Sequence, residues 1–140
     1  MFAKMQELMD WRVRLLIGER FDDLAGEYLY PLALYQGDSH RVVVDQAGMA
    51  DSLAKFRVKQ KALGITGVTA RVTAVDLPRN GRFRVWVSYR EHGPQGEVLA
   101  TVDVVQYCCE TSRGIRTEMT EYSRCSLADQ ATEPKVAAIR

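Results

Sequence analysis

The chain has 140 residues and a formal net charge of +1, with 46% hydrophobic and 26% charged residues. That length suits one domain, able to bury roughly two-thirds of its unfolded surface, and a near-neutral balance gives no reason to expect a nucleic-acid or other polyanion partner. No stretch approaches the roughly twenty apolar residues that cross a bilayer, which argues against a membrane protein.

The start, MFAKMQELMDWRVRLL, is broken by charges and lacks the apolar centre of a signal peptide. Three cysteines are an odd number, and Cys108 and Cys109 are neighbours that point to opposite faces of a strand. Reduced thiols in a cytoplasmic protein fit better than a disulfide framework.

Phe2, Met5, Leu8, Met9, Val13, Leu16 and Ile17 recur at helical spacing, so Met1–Ile17 is predicted as a helix stopped at Gly18. A second helix, Glu19–Tyr28, is expected to end before Pro31. Leu32–Tyr35 and Arg41–Asp45 read as a short hairpin around Gln36–His40. Asp45 is an N-cap for a third helix reaching about Leu63, with Met49, Leu53 and Phe56 on its apolar side and Gly64 as its stop.

From Val68 the period changes to two. Val68–Leu77, a turn at Pro78-Arg79-Asn80-Gly81, and the hairpin Arg82–Cys109 around His92–Gly96 lead to a last strand, Ile115–Tyr122. If His92 faces Glu97, then Val85 faces Val104, Val87 faces Val102 and Tyr89 faces Ala100, giving one apolar face. The opposite face carries Arg84, Trp86, Ser88 and Arg90 with Thr101, Asp103, Val105 and Tyr107, and sets Trp86 beside Asp103. Residues 1–125 form a single domain in this reading, and 126–140 a weakly structured tail.

Three helices before a four-strand antiparallel meander, with a short N-terminal hairpin, is an α+β order. The expected architecture is a curved, cone-shaped sheet wrapped on the helices, with a pocket at the mouth. The segments FDDLAGEYLYPL and TSRGIRTEM, with the third helix between them, resemble the nuclear-transport-factor-2-like (cystatin-like) superfamily with its SnoaL-like cyclases, scytalone dehydratase and ketosteroid isomerase. The resemblance spans about Met5 to Tyr122, although the Gly-Trp pair common in that family is Gly114-Ile115 here.

Ala100–Tyr107 is similar to the ketosteroid isomerase strand whose aspartic acid stays neutral in an apolar site, and Asp103 falls at that place. The enzyme's tyrosine would fall near Trp11 and its base around Tyr35 or Gln36, none of which can move the proton, so the isomerase activity itself is excluded.

Asp103 then reads either as the partner of Arg84 or Arg90 on a wet face, or as a pocket carboxyl and the one candidate acid or base. Trp86 reads as a dimer contact, a pocket wall or a part-exposed ring. Tyr28, Tyr30 and Tyr35 read as core or as mouth residues, and His40 and His92 as turn residues. No histidine–cysteine spacing forms a metal site, and no glycine loop calls for a cofactor. The leading expectation is a non-catalytic domain that binds a small apolar molecule through Trp11, Tyr28, Trp86, Asp103 and Tyr107 and forms a homodimer through its sheet. A lyase, isomerase or cyclase using Asp103, and a protein-interaction module, are the alternatives.

Overall fold

The computed structural model describes residues 1–127. Helix α1 spans Phe2–Ile17, α2 Phe21–Ala25 and α3 Gln46–Ala62; the strands are β1 Tyr28–Gln36, β2 Ser39–Val43, β3 Gly67–Val75, β4 Arg82–His92, β5 Val98–Thr111 and β6 Gly114–Leu127. They form one six-stranded sheet in the order β2-β1-β6-β5-β4-β3. The tail expected after Ser126 lies, from residue 128 onward, outside the described residues.

The antiparallel meander β3 to β6 and the β1–β2 hairpin form as the alternation predicts. The sheet is nevertheless mixed, not antiparallel throughout, because β1 joins β6 in parallel. No local pattern announces that pairing; it follows from where α1 and α2 deliver the chain.

The second helix is shorter than its pattern suggests. Gly26 caps α2 after Ala25, and the chain runs on as a strand through a cis Tyr30–Pro31 bond. Pro31 has no N–H for a ladder, and the β1–β6 register is irregular across it, between Tyr28 and Ala33. Local turn signals fare better. Asp45 caps α3, its carboxylate accepting from the Gly48 N–H at 2.8 Å. Asn80 and Gly81 both take positive φ, 53° and 75°, as a two-residue hairpin turn requires.

The β4–β5 register is displaced by two residues from the one expected. Val85 faces Gln106, Val87 faces Val104, Tyr89 faces Val102, and a bulge at Glu91/His92 sets His92 opposite Val98. The displacement arises in the loop, where the Gly93 N–H bonds to Glu97 O at 2.9 Å and the Gln95 N–H to the Glu97 carboxylate at 2.9 Å. An even slip leaves every side chain on its face. It does separate two expected neighbours: Trp86 stands opposite Val105, and Asp103 opposite Ser88.

The helices cover one face of the sheet. Met5, Met9, Leu15, Leu16, Leu53 and Phe56 close on Leu32, Val85, Val87, Tyr89, Val102 and Val104. Helix α1 lies along β3, whereas α2 packs on α3, which leaves a lightly packed seam between the two helical groups.

Candidate functional site

The chemistry of the cone begins with a charge inside an apolar stripe. Helical spacing puts Arg12 on the face of Met5, Met9 and Leu16, and the side chain is 4% exposed. A buried guanidinium needs partners, and the chain supplies them from Glu27, in the turn before β1, and from β6. Nε donates to a Glu27 carboxylate oxygen at 3.3 Å, one Nη to the Glu27 backbone oxygen at 3.2 Å, and the other to the Thr117 hydroxyl at 2.7 Å. The Thr117 N–H also bonds to Glu27 O at 3.1 Å, so one cluster ties α1, the turn before β1, and β6 together. The Tyr28 ring lies under the guanidinium, 5.2 Å from its carbon.

Burial pulls the Arg12 pKa down, but the facing Tyr28, Cys108 and Glu27 outweigh it, and the guanidinium is held charged. Burial pushes the Tyr28 phenol up to about 12, only partly opposed by Arg12. It also raises the Cys108 thiol, which lies 3.7 Å from the Thr117 hydroxyl.

Arg12, Tyr28 and Tyr89 border a hollow of about 40 Å³ at the seam, walled by Val13, Leu16, Leu24, Leu53 and Phe56. That is room for roughly three waters. The expected roomy cone is therefore nearly filled by its own side chains. A second buried polar group lies at the far end of the sheet, where Arg57 bonds to Gln60 at 3.3 Å and to Ile65 O at 3.1 Å, and Gln60 bonds to Glu91 at 3.0 Å.

The five residues singled out from the sequence do not converge. Tyr28 alone borders the cone hollow. Trp11 lies outside it, under Arg14 and Arg20, in a cleft of about 630 Å³ between α1 and the β5–β6 hairpin. Trp86, Asp103 and Tyr107 occupy the outer face of the sheet, because they alternate with the core residues Val85, Val87, Val102 and Val104. There Tyr107 donates to Glu121 at 2.9 Å and Arg84 stacks 4.9 Å over Trp86. Arg84 pairs at 2.7 Å with Asp76, not with Asp103. Asp103 borders a separate outer hollow with Trp86, so an acid or base role for it inside the cone is corrected by the pleat.

Among the tyrosines, Tyr30 donates to Ala25 O at 2.6 Å and Tyr35 stacks on His40 with ring centroids 5.8 Å apart. His40 and His92 are strand residues, not turn residues as expected: His40 lies in β2, and His92 ends β4, bonding to Gly96 O at 3.2 Å and across to the Thr69 hydroxyl on β3 at 2.9 Å. Arg12 escaped the sequence reading. Its one signal was a cation at the centre of the apolar stripe Met5-Met9-Leu16. Among the described residues no group of three His, Cys, Asp or Glu side chains is placed to hold a metal ion, and no helix is long and apolar enough to cross a membrane.

Compared as a sequence, the chain matches no protein-family model and no curated protein. Compared as a structure, it matches a nuclear-transport-factor-2-like protein of unknown function from Shewanella oneidensis, with a TM-score of 0.66 and 10% identity over 87% of this chain and 98% of that one. The fold is nuclear-transport-factor-2-like. A second protein of this fold, described as cystatin-like, from Novosphingobium aromaticivorans, gives a TM-score of 0.65 and 11% identity over 98% of this chain and 86% of its own. A ketosteroid isomerase-like protein from Erwinia carotovora atroseptica gives 0.57 and 11% over 88% and 96%. At these identities the likeness concerns the nuclear-transport-factor-2-like backbone, and the side chains of the cone are this chain's own.

Proposed function

We propose that the chain is a small-molecule-binding domain with no catalytic step of its own, which seats the acceptor oxygen of a compact, largely apolar ligand in the cone. One observation carries this reading: Arg12, Tyr28 and Tyr89 meet at a hollow with apolar walls and no carboxylate, imidazole or amide side chain on its border. The Arg12 guanidinium and the Tyr28 hydroxyl can donate at this border, while the Tyr89 hydroxyl is directed to Met9 Sδ at 3.7 Å, and such donors favour a ketone or carboxylate oxygen. No general base is available there, since the guanidinium is held charged and the Tyr28 phenol ionises only near 12. The hollow takes only the polar end, so binding the rest of the ligand requires the seam between α1 and α2 to open at Val13, Leu16 and Leu24, which wall the hollow. A neighbour named as ketosteroid isomerase-like supports a small-molecule role. Cys108 and Cys109, neither joined in a disulfide, support a reducing, cytoplasmic setting.

Calorimetry and thermal denaturation with small alicyclic and aromatic ketones and carboxylates test the reading. A ligand at about 100 times its Kd is expected to stabilise the fold by about 2.7 kcal/mol. Tyr28→Phe should weaken binding by about tenfold through one lost hydrogen bond. Leu53→Trp, or the milder Leu24→Phe if the first does not fold, should fill the hollow and end binding. A ligand that binds a filled variant as well as the wild type, or a ligand set that never stabilises the fold, overturns it.

A second reading, homodimerisation through the sheet, is favoured by a different observation. Trp86, Val105 and Tyr35 lie in one outer row, and Tyr107, Met119, Ala33 and the 52% exposed Val42 in the next. A two-fold copy would bury this aromatic and aliphatic patch and bring Arg84 on one edge toward Glu121 of the other chain.

A further inference from the structure

The outer face changes character beyond Trp86. One row crosses four strands through successive register partners: Arg71 on β3, Ser88 on β4, Asp103 on β5 and Arg124 on β6. Arg90 stands in the next row, opposite Thr101. Within these rows lies a hollow of about 400 Å³, bordered by Arg71, Trp86, Arg90 and Asp103 and by the hydroxyl residues Thr73, Ser88 and Ser123. A pleated face is ordinarily shallow, and two bulges account for the depression. The β3–β4 register skips Thr73 and the β5–β6 register skips Ser123. Both skipped residues border the hollow. Bulges bend a strand, re-aim its side chains and recur beside functional sites. Here each is fastened to the strand beside it, Thr73 donating to Trp86 O at 3.4 Å and Ser123 to Asp103 O at 3.1 Å.

The charges around the hollow are unbalanced. Arg12, Arg20, Arg82 and Arg84 each pair with a carboxylate. Among the described residues the two arginines that border the hollow, Arg71 and Arg90, pair with no carboxylate, as is also true of Arg14, Arg41, Arg79 and Arg113, although Asp103 borders the same hollow. Arg71 and Arg90 both border the hollow and stand on a cross-strand diagonal, within reach of each other as long side chains of like charge, whereas Arg124 stands opposite Asp103 outside the border. A bound anion removes the repulsion between Arg71 and Arg90, and the guanidinium fork matches two oxygens of a carboxylate or phosphate. The volume falls within the roughly 300–1,000 Å³ typical of small-molecule sites.

We propose that this outer hollow binds a small molecule through a carboxylate or phosphate group clamped by Arg71 and Arg90. The Ser88 hydroxyl donates to the same group, and Trp86 flanks the rest of the ligand. Asp103 accepts from a hydroxyl or ammonium group adjoining the anion, so the ligand class is an oxyanion with a neighbouring hydrogen-bond donor. This site lies across the sheet from the cone, and its occupancy is independent of the cone reading.

The experiment uses the full chain carrying Trp11→Phe, so that Trp86 is its one fluorophore of that type. Inorganic phosphate and malonate are titrated at constant ionic strength against a sodium chloride control. A saturable change in Trp86 emission is expected, with the tighter of the two anions telling phosphate from carboxylate ligands. Arg71→Gln with Arg90→Gln should weaken binding at least tenfold. Asp103→Asn should tighten both simple anions several-fold, because it removes a like charge and these probes carry no donor for it. Retained affinity in the double variant, or an equal response to sodium chloride, overturns the proposal. So does a double variant that changes the sedimentation coefficient in a protein whose Trp86 ignores both anions, since the arginines then serve a contact between copies.

Discussion

At the scale of single residues, Arg12 decides the character of the cone. Removing one member of a buried ion pair strands the other without its countercharge. Arg12→Met is therefore expected to cost about 3 kcal/mol in urea unfolding, and Arg12→Met with Glu27→Gln should recover some of that loss. A double variant no better than the single one would show that Thr117 and the Tyr28 ring, not Glu27, are what Arg12 needs. Tyr28 gives a pH signature. Its phenol is held up near 12 by burial, above the ordinary value of about 10. The folded state therefore keeps a proton that the unfolded chain releases first. Its contribution to stability is complete below about pH 10 and declines from there to about 12. Chemical denaturation from pH 8 to 11.5 should show a steeper alkaline loss for wild type than for Tyr28→Phe. Burial likewise raises Cys108, and its thiol should react with a disulfide reagent at neutral pH only when the protein unfolds.

At the scale of elements, local signals predict local structure well and fail where strands meet. The Asp45 cap and the Asn80-Gly81 turn are short-range chemistry, and both form as read. Gly81→Ala puts a side chain on a residue at φ 75° and should cost about 1 kcal/mol; an unchanged denaturation midpoint would show that the β3–β4 pairing carries the turn unaided. The β4–β5 register differs because two pairings separated by an even slip bury the same side chains, and the choice between them fell to Glu97 folding over its own loop. Pro31 misled the reading of α2 for a related reason. A proline that ends a helix and a proline inside an irregular strand look alike until the partner strand, β6, is known.

At the scale of the whole molecule, the sheet separates two environments that the alternation had already sorted into two sets. The inner set became core and cone, and the outer set divided into an aromatic patch and a cationic hollow. The patch predicts its own test. Sedimentation over a concentration series should show a dimer in wild type and a monomer in Met119→Lys with Trp86→Ala. A wild type that stays monomeric throughout, or a variant that stays dimeric, would move the contact elsewhere or abolish it.

Residue order alone determined the helices, the meander, the α+β class and the division of Arg82–Cys109 into two faces, because each depends on periodicity and turn chemistry within a few residues. Which face holds the helices was not legible there. Only packing decided it, since Trp86 and Asp103 are as compatible with a cone as Val87 and Tyr89 until α1 and α3 cover one side. The parallel β1–β6 pairing, the Arg12 cluster and the two bulges that hollow the outer face join residues distant in sequence. No local preference encodes such meetings; they arise when the whole chain closes around one core.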